Sequence, residues 1–349
     1  MLLNSLNYFR AISILSIVAG HCMQIAGIDL TKLSIFEKII VNLISGGTTL
    51  FVFISGFLFH HIYFSKFDYL KFLKSKFKNV LIPFIFMTLP FIFPTIYNVN
   101  YLSIEQVGII EKYVYPIMHT YLSLMQLSYW YIPFITIMFL LSPLHVIFAK
   151  TNKRTQITVL ITLLFISAII HRPIDKTYFL HSVIYFLPVY LIGIFCSIHK
   201  ERIYQLLEDK EIFLLLIVIF ISTLNAVNGH VGNFIKNFFA LNGFDTFLFA
   251  KLFLCIFFMV FLHRFEKTQI KILEYIAAVS FSIYFLHEYL LNITRKYVNY
   301  MNQDSLNLLS LPPWINLIFI VISFALLITL FALFIKKLIP KYSKYLIGY

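Results

Sequence analysis

The sequence predicts an all-α, polytopic integral membrane protein with about ten transmembrane helices. Of its 349 residues, 60% are hydrophobic and only 12% are charged, which excludes an ordinary soluble domain. Apolar runs long enough to cross a hydrocarbon core of about 30 Å recur along the whole chain. We therefore expect residues 1–349 to form a single transmembrane domain, with no fused soluble domain.

Each predicted span is a mainly apolar run bounded by polar or charged residues. The ten spans comprise residues 7–26, 39–61, 80–98, 130–148, 156–171, 180–198, 211–227, 246–263, 272–292 and 314–336. The first run is not preceded by a basic region, and no small-residue cleavage site follows it. We therefore expect it to stay in the membrane rather than to be removed as a signal peptide.

The distribution of Lys and Arg predicts the orientation. If both termini are cytoplasmic, the inside segments hold eighteen Lys and Arg residues and the outside loops hold eight. This asymmetry is what the positive-inside rule requires, so we predict cytoplasmic N- and C-termini. The net charge of +13 is then explained by cytoplasmic loops, and we expect no nucleic-acid partner.

Arg10 and His21 are the most informative residues, because both lie inside the first predicted span. At about 100° per residue, eleven positions bring them to within roughly 20° of each other while rising about 16 Å. Ionisable groups at membrane depth usually face a cavity and belong to a functional path. A bond between helices is the alternative that these two residues alone leave open.

Small and basic residues characterise the second span and the entry to the third. Ser55 and Gly56 lie in the second span, where small residues let backbones approach closely, so spacing alone favours a packing role. The lysine-rich stretch 71–78 contains Lys76 and Lys78. It favours either attraction to anionic lipid headgroups or a phosphate-binding mouth on the cytoplasmic side, and the sequence leaves both open.

The remaining candidates lie towards the predicted outer side. Trp130 begins the fourth span, where an indole ring anchors well, and Glu111 lies in the long outer loop 99–129. His287 and Glu288 lie in the outer half of the ninth span, at a depth comparable to that of His21. The three cysteines have no metal-site spacing, so we expect neither a metal site nor a disulfide.

Six motifs follow one another at these spans. They are Arg10-x10-His21, the aromatic stretch 51–57 ending in Ser-Gly, the basic entry 76–83, Ser128-Tyr129-Trp130-Tyr131, the stretch 186–193, and Ser-x-x-Ile-Tyr-x-x-His at 280–287. In this order the sequence resembles the acyltransferase 3 family of ten-span membrane proteins that modify surface glycans. One departure is that the basic stretch is all lysine, with Asn79 where many members carry Arg or Lys. A planar bidentate contact to phosphate is therefore not expected there.

The resemblance implies an O-acyltransferase of the bacterial cytoplasmic (inner) membrane, with acetyl as the expected acyl group. Its donor would be cytoplasmic acetyl-CoA or another acyl-CoA, and its acceptor a hydroxyl of a surface polysaccharide or lipid-linked oligosaccharide at the outer face. Arg10 would hold the donor, and His21 would act as general base or transient acyl carrier. The other expected contacts are Lys76, Lys78, Ser55 and Gly56 for the donor, and Trp130, Glu111, His287 and Glu288 for the acceptor.

A second class remains open, a glycan or lipid-linked sugar exporter without acyl transfer. Broken helices and polar groups near the membrane midplane also belong to carriers. No repeat relates the two halves of the sequence, which does not favour a carrier. Membrane lipid is a partner in either case, and the sequence makes no prediction of oligomeric state.

Overall fold

The computed structural model describes residues 3–99, 114–300 and 311–349. The α-helices in these ranges are α1 Asn4–Cys22, α2 Ile35–Ile44, α3 Gly47–Leu58, α4 Tyr69–Lys76, α5 Ile82–Val99, α6 Tyr115–Leu124, α7 Tyr131–Leu140, α8 Ser142–Lys150, α9 Lys153–Ile170, α10 Phe179–Ile198, α11 Lys200–Leu207, α12 Glu211–Val227, α13 Thr246–His263, α14 Lys271–Ala278, α15 Ser280–Tyr300, α16 Pro313–Leu338 and α17 Ser343–Leu346. Shorter helical turns cover Phe59–Tyr63, Phe64–Lys66, Phe77–Leu81 and Met125–Tyr129, and two short strands are β1 Arg172–Pro173 and β2 Ile235–Lys236.

The helices have the length and composition of a multi-pass membrane protein. Within the described ranges, six helices are long and apolar enough to cross a membrane, or up to nine if each of three bent pairs is one span. The helix α1 has 19 residues but is not among them, because polar and charged residues such as Arg10 and His21 make it less apolar. The all-α, multi-pass fold is thus confirmed, whereas the count of ten and the side of each terminus stay predictions.

Most predicted spans coincide with helices, but three are interrupted, the second span between α2 and α3. The eighth span is α13, with the same ends. The fourth is divided at Leu141, since Pro143 follows within the first turn of α8 and cannot donate a backbone bond. The ninth is divided at Val279, where α14 and α15 meet at a bend of 72°. The spans predicted over 130–148 and 272–292 are therefore each divided between two helices.

A close helix crossing in the core joins α3 and α10. A Cβ atom on Gly56 would lie 1.9 Å from the carbonyl oxygen of Tyr190, and one on Gly193 would lie 2.1 Å from that of Phe53. Both glycines therefore permit backbone contact that any other residue would prevent. This crossing fixes α3, which lines both of the cavities described below, against α10.

The helix α1 is held at its start and along its length. The carboxylate of Glu266 accepts hydrogen bonds from the backbone N–H groups of Asn4 (2.8 Å) and Ser5 (2.9 Å), so it satisfies two of the four unpaired donors of the first turn. A Cβ atom on Gly47 would lie 3.0 Å from the backbone nitrogen of Ile17, so α3 begins in close contact with α1. The side chains of α1 are therefore presented from a fixed support.

A break between α2 and α3 lies beside the middle of α1. Gly46 has φ +77°, a left-handed conformation, and the amine of Lys251 donates to the carbonyl oxygen of Leu43 at 2.8 Å. Lys251 thus satisfies a carbonyl at the C-terminal end of α2, where a cation is favoured. The strands β1 and β2 pair in parallel, with Arg172 opposite Ile235, and join the loops that follow α9 and α12.

Candidate active site

Two cavities lie against α1 at different heights. The His21 cavity has a volume of about 370 Å³ and is lined by residues of α1, the α2–α3 break, the start of α7, the loop after α9 and α15. The Arg10 cavity has a volume of about 390 Å³ and is lined by α1, α3, α4, α7 and the C-terminal segment 344–349. Arg10 and His21 therefore lie on one helix but in two chambers.

The two cavities share part of one wall. Phe51, Tyr131 and Phe281 line both of them. The hydroxyl groups of Ser55 and Tyr131 lie 3.2 Å apart, and Ser55 also lines the Arg10 cavity. A layer of three aromatic side chains, joined to one hydroxyl pair, is thus what separates the chamber of Arg10 from that of His21.

The imidazole of His21 is oriented from behind by a carboxylate and a hydroxyl. Its Nδ1 lies 3.3 Å from Ser128 Oγ and 3.6 Å from Glu288 Oε1. Ser128 donates its only hydroxyl proton to Glu288 Oε1, so towards His21 it can only accept. Nδ1 of His21 therefore carries the proton, and Nε2 keeps its lone pair. Since 31% of the His21 side chain is exposed, that lone pair is available to the cavity.

Two tyrosines hold Ser128 against α15. Tyr129 Oη donates to the carbonyl oxygen of Phe285 at 2.7 Å, and Tyr284 Oη donates to the carbonyl oxygen of Ser128 at 2.6 Å. These reciprocal bonds fix the helical turn Met125–Tyr129 beside Glu288. Ser128 is 3% exposed and Glu288 1% exposed, so the group that orients His21 is shielded from solvent.

His287 lies beside His21, with a ring-centroid distance of 5.3 Å. Its Nδ1 lies 2.7 Å from the carbonyl oxygen of Tyr284 and 3.1 Å from that of Ile283, so Nδ1 carries the proton. Its Nε2 and the second oxygen of Glu288 have no hydrogen-bond partner in the part of the chain that the structure describes. By spacing alone, His21, His287 and Glu288 could hold a metal ion, since their ligand atoms lie within 4.8 Å of one another.

The Arg10 cavity is cationic. Arg10, Lys76 and Lys344 line it, and none of its described lining residues is acidic. The guanidinium of Arg10 lies 5.5 Å from the ring of Phe281, and the Lys76 amine lies 4.6 Å from the ring of Tyr63. Among the described residues, Arg10 has no hydrogen-bond or ion-pair partner. These groups can bind an anion, but the described lining of the cavity has no carboxylate side chain or imidazole with which to move a proton.

The His21 cavity also has two cations, both in the loop after α9. Arg172 and Lys176 line it, and neither was among the residues that we predicted for the site. Burial lowers the pKa of Lys176 to about 8, and the neighbouring Arg172 contributes to this lowering. Burial likewise lowers the pKa of Arg172. The two cations thus lie close enough to repel each other.

The predicted site residues fall into three groups. Arg10, Lys76 and Ser55 line the Arg10 cavity, and His21 and Trp130 line the His21 cavity. His287 and Glu288 lie behind His21. Two predicted donor contacts line neither cavity, because Gly56 packs on the backbone of Tyr190 and Lys78 is exposed with its amine 4.7 Å from the Tyr345 ring. Glu111 lies outside the described residues.

Sequence reasoning did not select Ser128, Arg172, Lys176 or Lys344 for the site. Ser128 immediately precedes the aromatic start of the fourth span at the depth of His21, which is a signal that could have identified it. The other three lie in a loop and near the end of the described chain, where charged residues are ordinary. Only packing brings them to a cavity wall.

Comparisons with known proteins give one result. The model of the acyltransferase 3 family, described as an acyltransferase domain, matches residues 3–334, nearly the whole chain. A search of curated proteins found no match, and a search of solved structures found none.

Proposed function

Because the chain belongs to the acyltransferase 3 family, we propose that it is a membrane O-acyltransferase that moves an acyl group from acyl-CoA to a glycan hydroxyl. The donor would be acetyl-CoA, delivered from the cytoplasmic side of a bacterial inner membrane. The acceptor would be a surface polysaccharide or a lipid-linked oligosaccharide at the outer face. No metal takes part in the proposed reaction.

The observation that carries this proposal is that α1 places Arg10 and His21 in two different cavities. Arg10 lies in a cationic cavity suited to an anionic donor, and His21 presents a free lone pair in a second cavity. The two cavities meet at Phe51, Tyr131 and Phe281. Arg10 and His21 are separated by about 16 Å of helix rise. A thioester held from one side and a hydroxyl held from the other would meet at this wall.

The transfer would then proceed as a single displacement. His21 Nε2 takes the proton of the acceptor hydroxyl while that oxygen attacks the thioester carbonyl carbon. The ester C–O bond forms, the C–S bond breaks, and coenzyme A leaves as a thiolate that receives the proton from His21. The Glu288 carboxylate, close to Nδ1, would stabilise the imidazolium that exists between the two proton transfers.

A relay through the enzyme uses the same groups in a different order. Here Nε2 of His21 attacks the thioester itself, so an acyl-imidazole forms and the thiolate leaves. The acceptor oxygen then attacks the acyl carbon, the C–N bond breaks, and Nε2 takes the hydroxyl proton, which it passes on to the coenzyme A thiolate. The relay differs from direct transfer in one observable, because it deposits label on the protein when acceptor is absent.

The test is acyl transfer by the full chain in proteoliposomes. Radiolabelled acetyl-CoA is supplied with a glycolipid and polysaccharide extract of the source cells, and both free CoA and labelled product are followed. We expect His21→Ala to lower transfer by about 10²- to 10⁴-fold, since that is the usual contribution of a general base. Label bound to wild-type protein without acceptor would distinguish the relay.

His60 supplies a matched control. It pairs with Ser197 at 2.9 Å through Nδ1 and lines neither cavity, so His60→Ala should retain transfer. Folding of each variant is checked by its melting temperature in detergent. If folded wild-type protein with its glycan released no CoA from acetyl-CoA or succinyl-CoA, the proposal would be wrong and the exporter would replace it.

A further inference from the structure

The wall of the His21 cavity carries positive charge that the proposed proton transfer does not use. Arg172 and Lys176 line the cavity together with His21, and none of its described lining residues is acidic. The loop that carries both cations is fixed by the pairing of β1 with β2 and by a bond from the Arg172 backbone N–H to the carbonyl oxygen of Phe234 (3.2 Å). The two charges are therefore held in place.

Arg172 is buried, and its direct contacts are an aromatic ring and an amide. It is 8% exposed, its guanidinium lies 5.0 Å from the ring of Trp130, and its Nη1 donates to Asn233 Oδ1 at 2.9 Å. No carboxylate lies within ion-pair distance of it in the described ranges. The carboxylate of Asp245, which acts on it electrostatically, is instead hydrogen-bonded to Tyr185 Oη (2.8 Å) and to the backbone N–H of Leu248 (2.9 Å).

A buried guanidinium without a counter-ion is costly, and this cost falls when a ligand brings the negative charge. Arg172 has five N–H donors in a planar fork, of which one is bonded to Asn233. A phosphate or a carboxylate matches the remaining fork. The amine of Lys176, which donates to the carbonyl oxygen of Leu127 at 2.9 Å, adds a second positive charge on the same wall.

We propose that the His21 cavity binds an oxyanion carried by the acceptor, a phosphate or a sugar carboxylate, at Arg172 and Lys176. This inference rests on the proposed function, because it identifies the class of glycan whose hydroxyl reaches His21. A cavity of about 370 Å³ has the size of a small-ligand site. The anion and the reacting hydroxyl therefore belong to the same or to adjacent sugar units.

The test measures binding without acyl-CoA, so that it does not depend on catalysis. The full chain in nanodiscs is dialysed against radiolabelled glucose 6-phosphate, glucuronic acid or glucose. We expect the phosphate, the carboxylate or both to bind at least about tenfold more tightly than neutral glucose, as charge-assisted hydrogen bonds imply. Comparison of the two anions identifies which group the site prefers.

Two matched substitutions locate the bound anion. Arg172→Gln should remove most of the preference for the anion, whereas Arg10→Gln, which removes a guanidinium from the other cationic cavity, should leave most of it. Lys32→Gln removes an exposed charge outside both cavities and serves as the surface control. If Arg172→Gln fails to fold, Arg172→Lys and Lys176→Gln replace it, and each should lower the preference without abolishing it.

Equal binding of glucose and both anions would overturn this inference, as would an anion preference that survives Arg172→Gln and disappears with Arg10→Gln. Neither result touches the proposed function, which depends on CoA release that requires His21. Conversely, anion binding at Arg172 without any CoA release would support this site and contradict the acyltransferase. The two failures are therefore distinguishable.

Discussion

The Arg10 and His21 cavities are similar in volume but differ in what stands behind their charged residues. Behind His21, the carboxylate of Glu288 and the hydroxyl of Ser128 fix one tautomer. Arg10 and Lys76 contact aromatic faces instead, and the described lining of their cavity has no acidic side chain. A carboxylate next to an imidazole serves proton transfer, whereas cations against aromatic rings serve anion binding.

Charge alone therefore does not identify the reacting site of this membrane protein. Both cavities carry cations, and both lie along the same helix. Only the His21 cavity combines a lone pair with a buried orienting carboxylate. Variants that separate turnover from donor binding will therefore test whether this structural difference is also a functional one.

The largest effect is expected for Glu288→Gln. The amide keeps the shape of the side chain but cannot stabilise an imidazolium, and it can favour the other His21 tautomer. We expect kcat to fall by about a hundredfold or more, with an unchanged KM for acyl-CoA. Glu37→Gln is the control, since Glu37 accepts hydrogen bonds from Trp314 and Ser34 and lines neither cavity. A normal kcat in Glu288→Gln would remove the carboxylate from the mechanism.

The second largest effect is expected on KM for acyl-CoA rather than on kcat, and it concerns donor binding. Arg10→Gln removes the guanidinium from the Arg10 cavity, so KM for acyl-CoA should rise about tenfold to a hundredfold, as for the loss of a charge-assisted contact. Lys344→Gln should raise it less, and Lys337→Gln, an exposed lysine outside the cavity, should leave it unchanged. A fall in kcat with constant KM in Arg10→Gln would mean that the two cavities are not divided as described.

Much of the fold could be predicted because a bilayer requires long apolar helices, and those are readable in a sequence. The break at Leu141 also has a signal, Pro143, but the break at Val279 has neither proline nor glycine beside it. That bend depends on how α14 and α15 pack, which one chain segment does not specify. It matters for the site, since α15 carries Glu288.

The site was predictable where one helix carries it. Helical periodicity alone predicts that Arg10 and His21 share one face of α1, and each of them lies on a cavity wall. Ser128 and Arg172 could not be found in this way, because they come from separate segments that meet α1 only after packing. The tautomer of His21 depends on Ser128, so periodicity does not predict it either.

A smaller effect should appear as pH rises, through Lys176. Burial and the nearby Arg172 hold the pKa of Lys176 at about 8. The amine is therefore mostly charged at pH 7 and loses its proton as the pH rises through about 8. Arg172 and Glu288 act on it electrostatically, and it acts in turn on His21. We expect the affinity for glucose 6-phosphate, which is dianionic throughout, to fall a few-fold between pH 7 and about pH 9.5.

Lys176→Arg is the matched variant for this titration, because a guanidinium keeps its charge over the whole range. It should flatten the alkaline loss of affinity while leaving the value at pH 7 close to that of the wild type. An equal alkaline loss in both proteins would assign the titration to another group. Arg172 would then be the charged group that binds the anion, without a contribution from Lys176.

No effect on acyl transfer is expected from metal removal. His21, His287 and Glu288 are spaced to hold a metal ion, but Arg172 and Lys176 line the same cavity and would repel a divalent cation. Nδ1 of His21 also carries a proton where it faces Glu288. Acyl transfer should therefore be unchanged after dialysis against EDTA. The contrary outcome is that EDTA abolishes transfer and that Zn²⁺ restores it in wild type but not in His287→Gln. Glu288 would then be a metal ligand. The loss of activity in Glu288→Gln would reflect loss of the metal rather than loss of imidazole orientation.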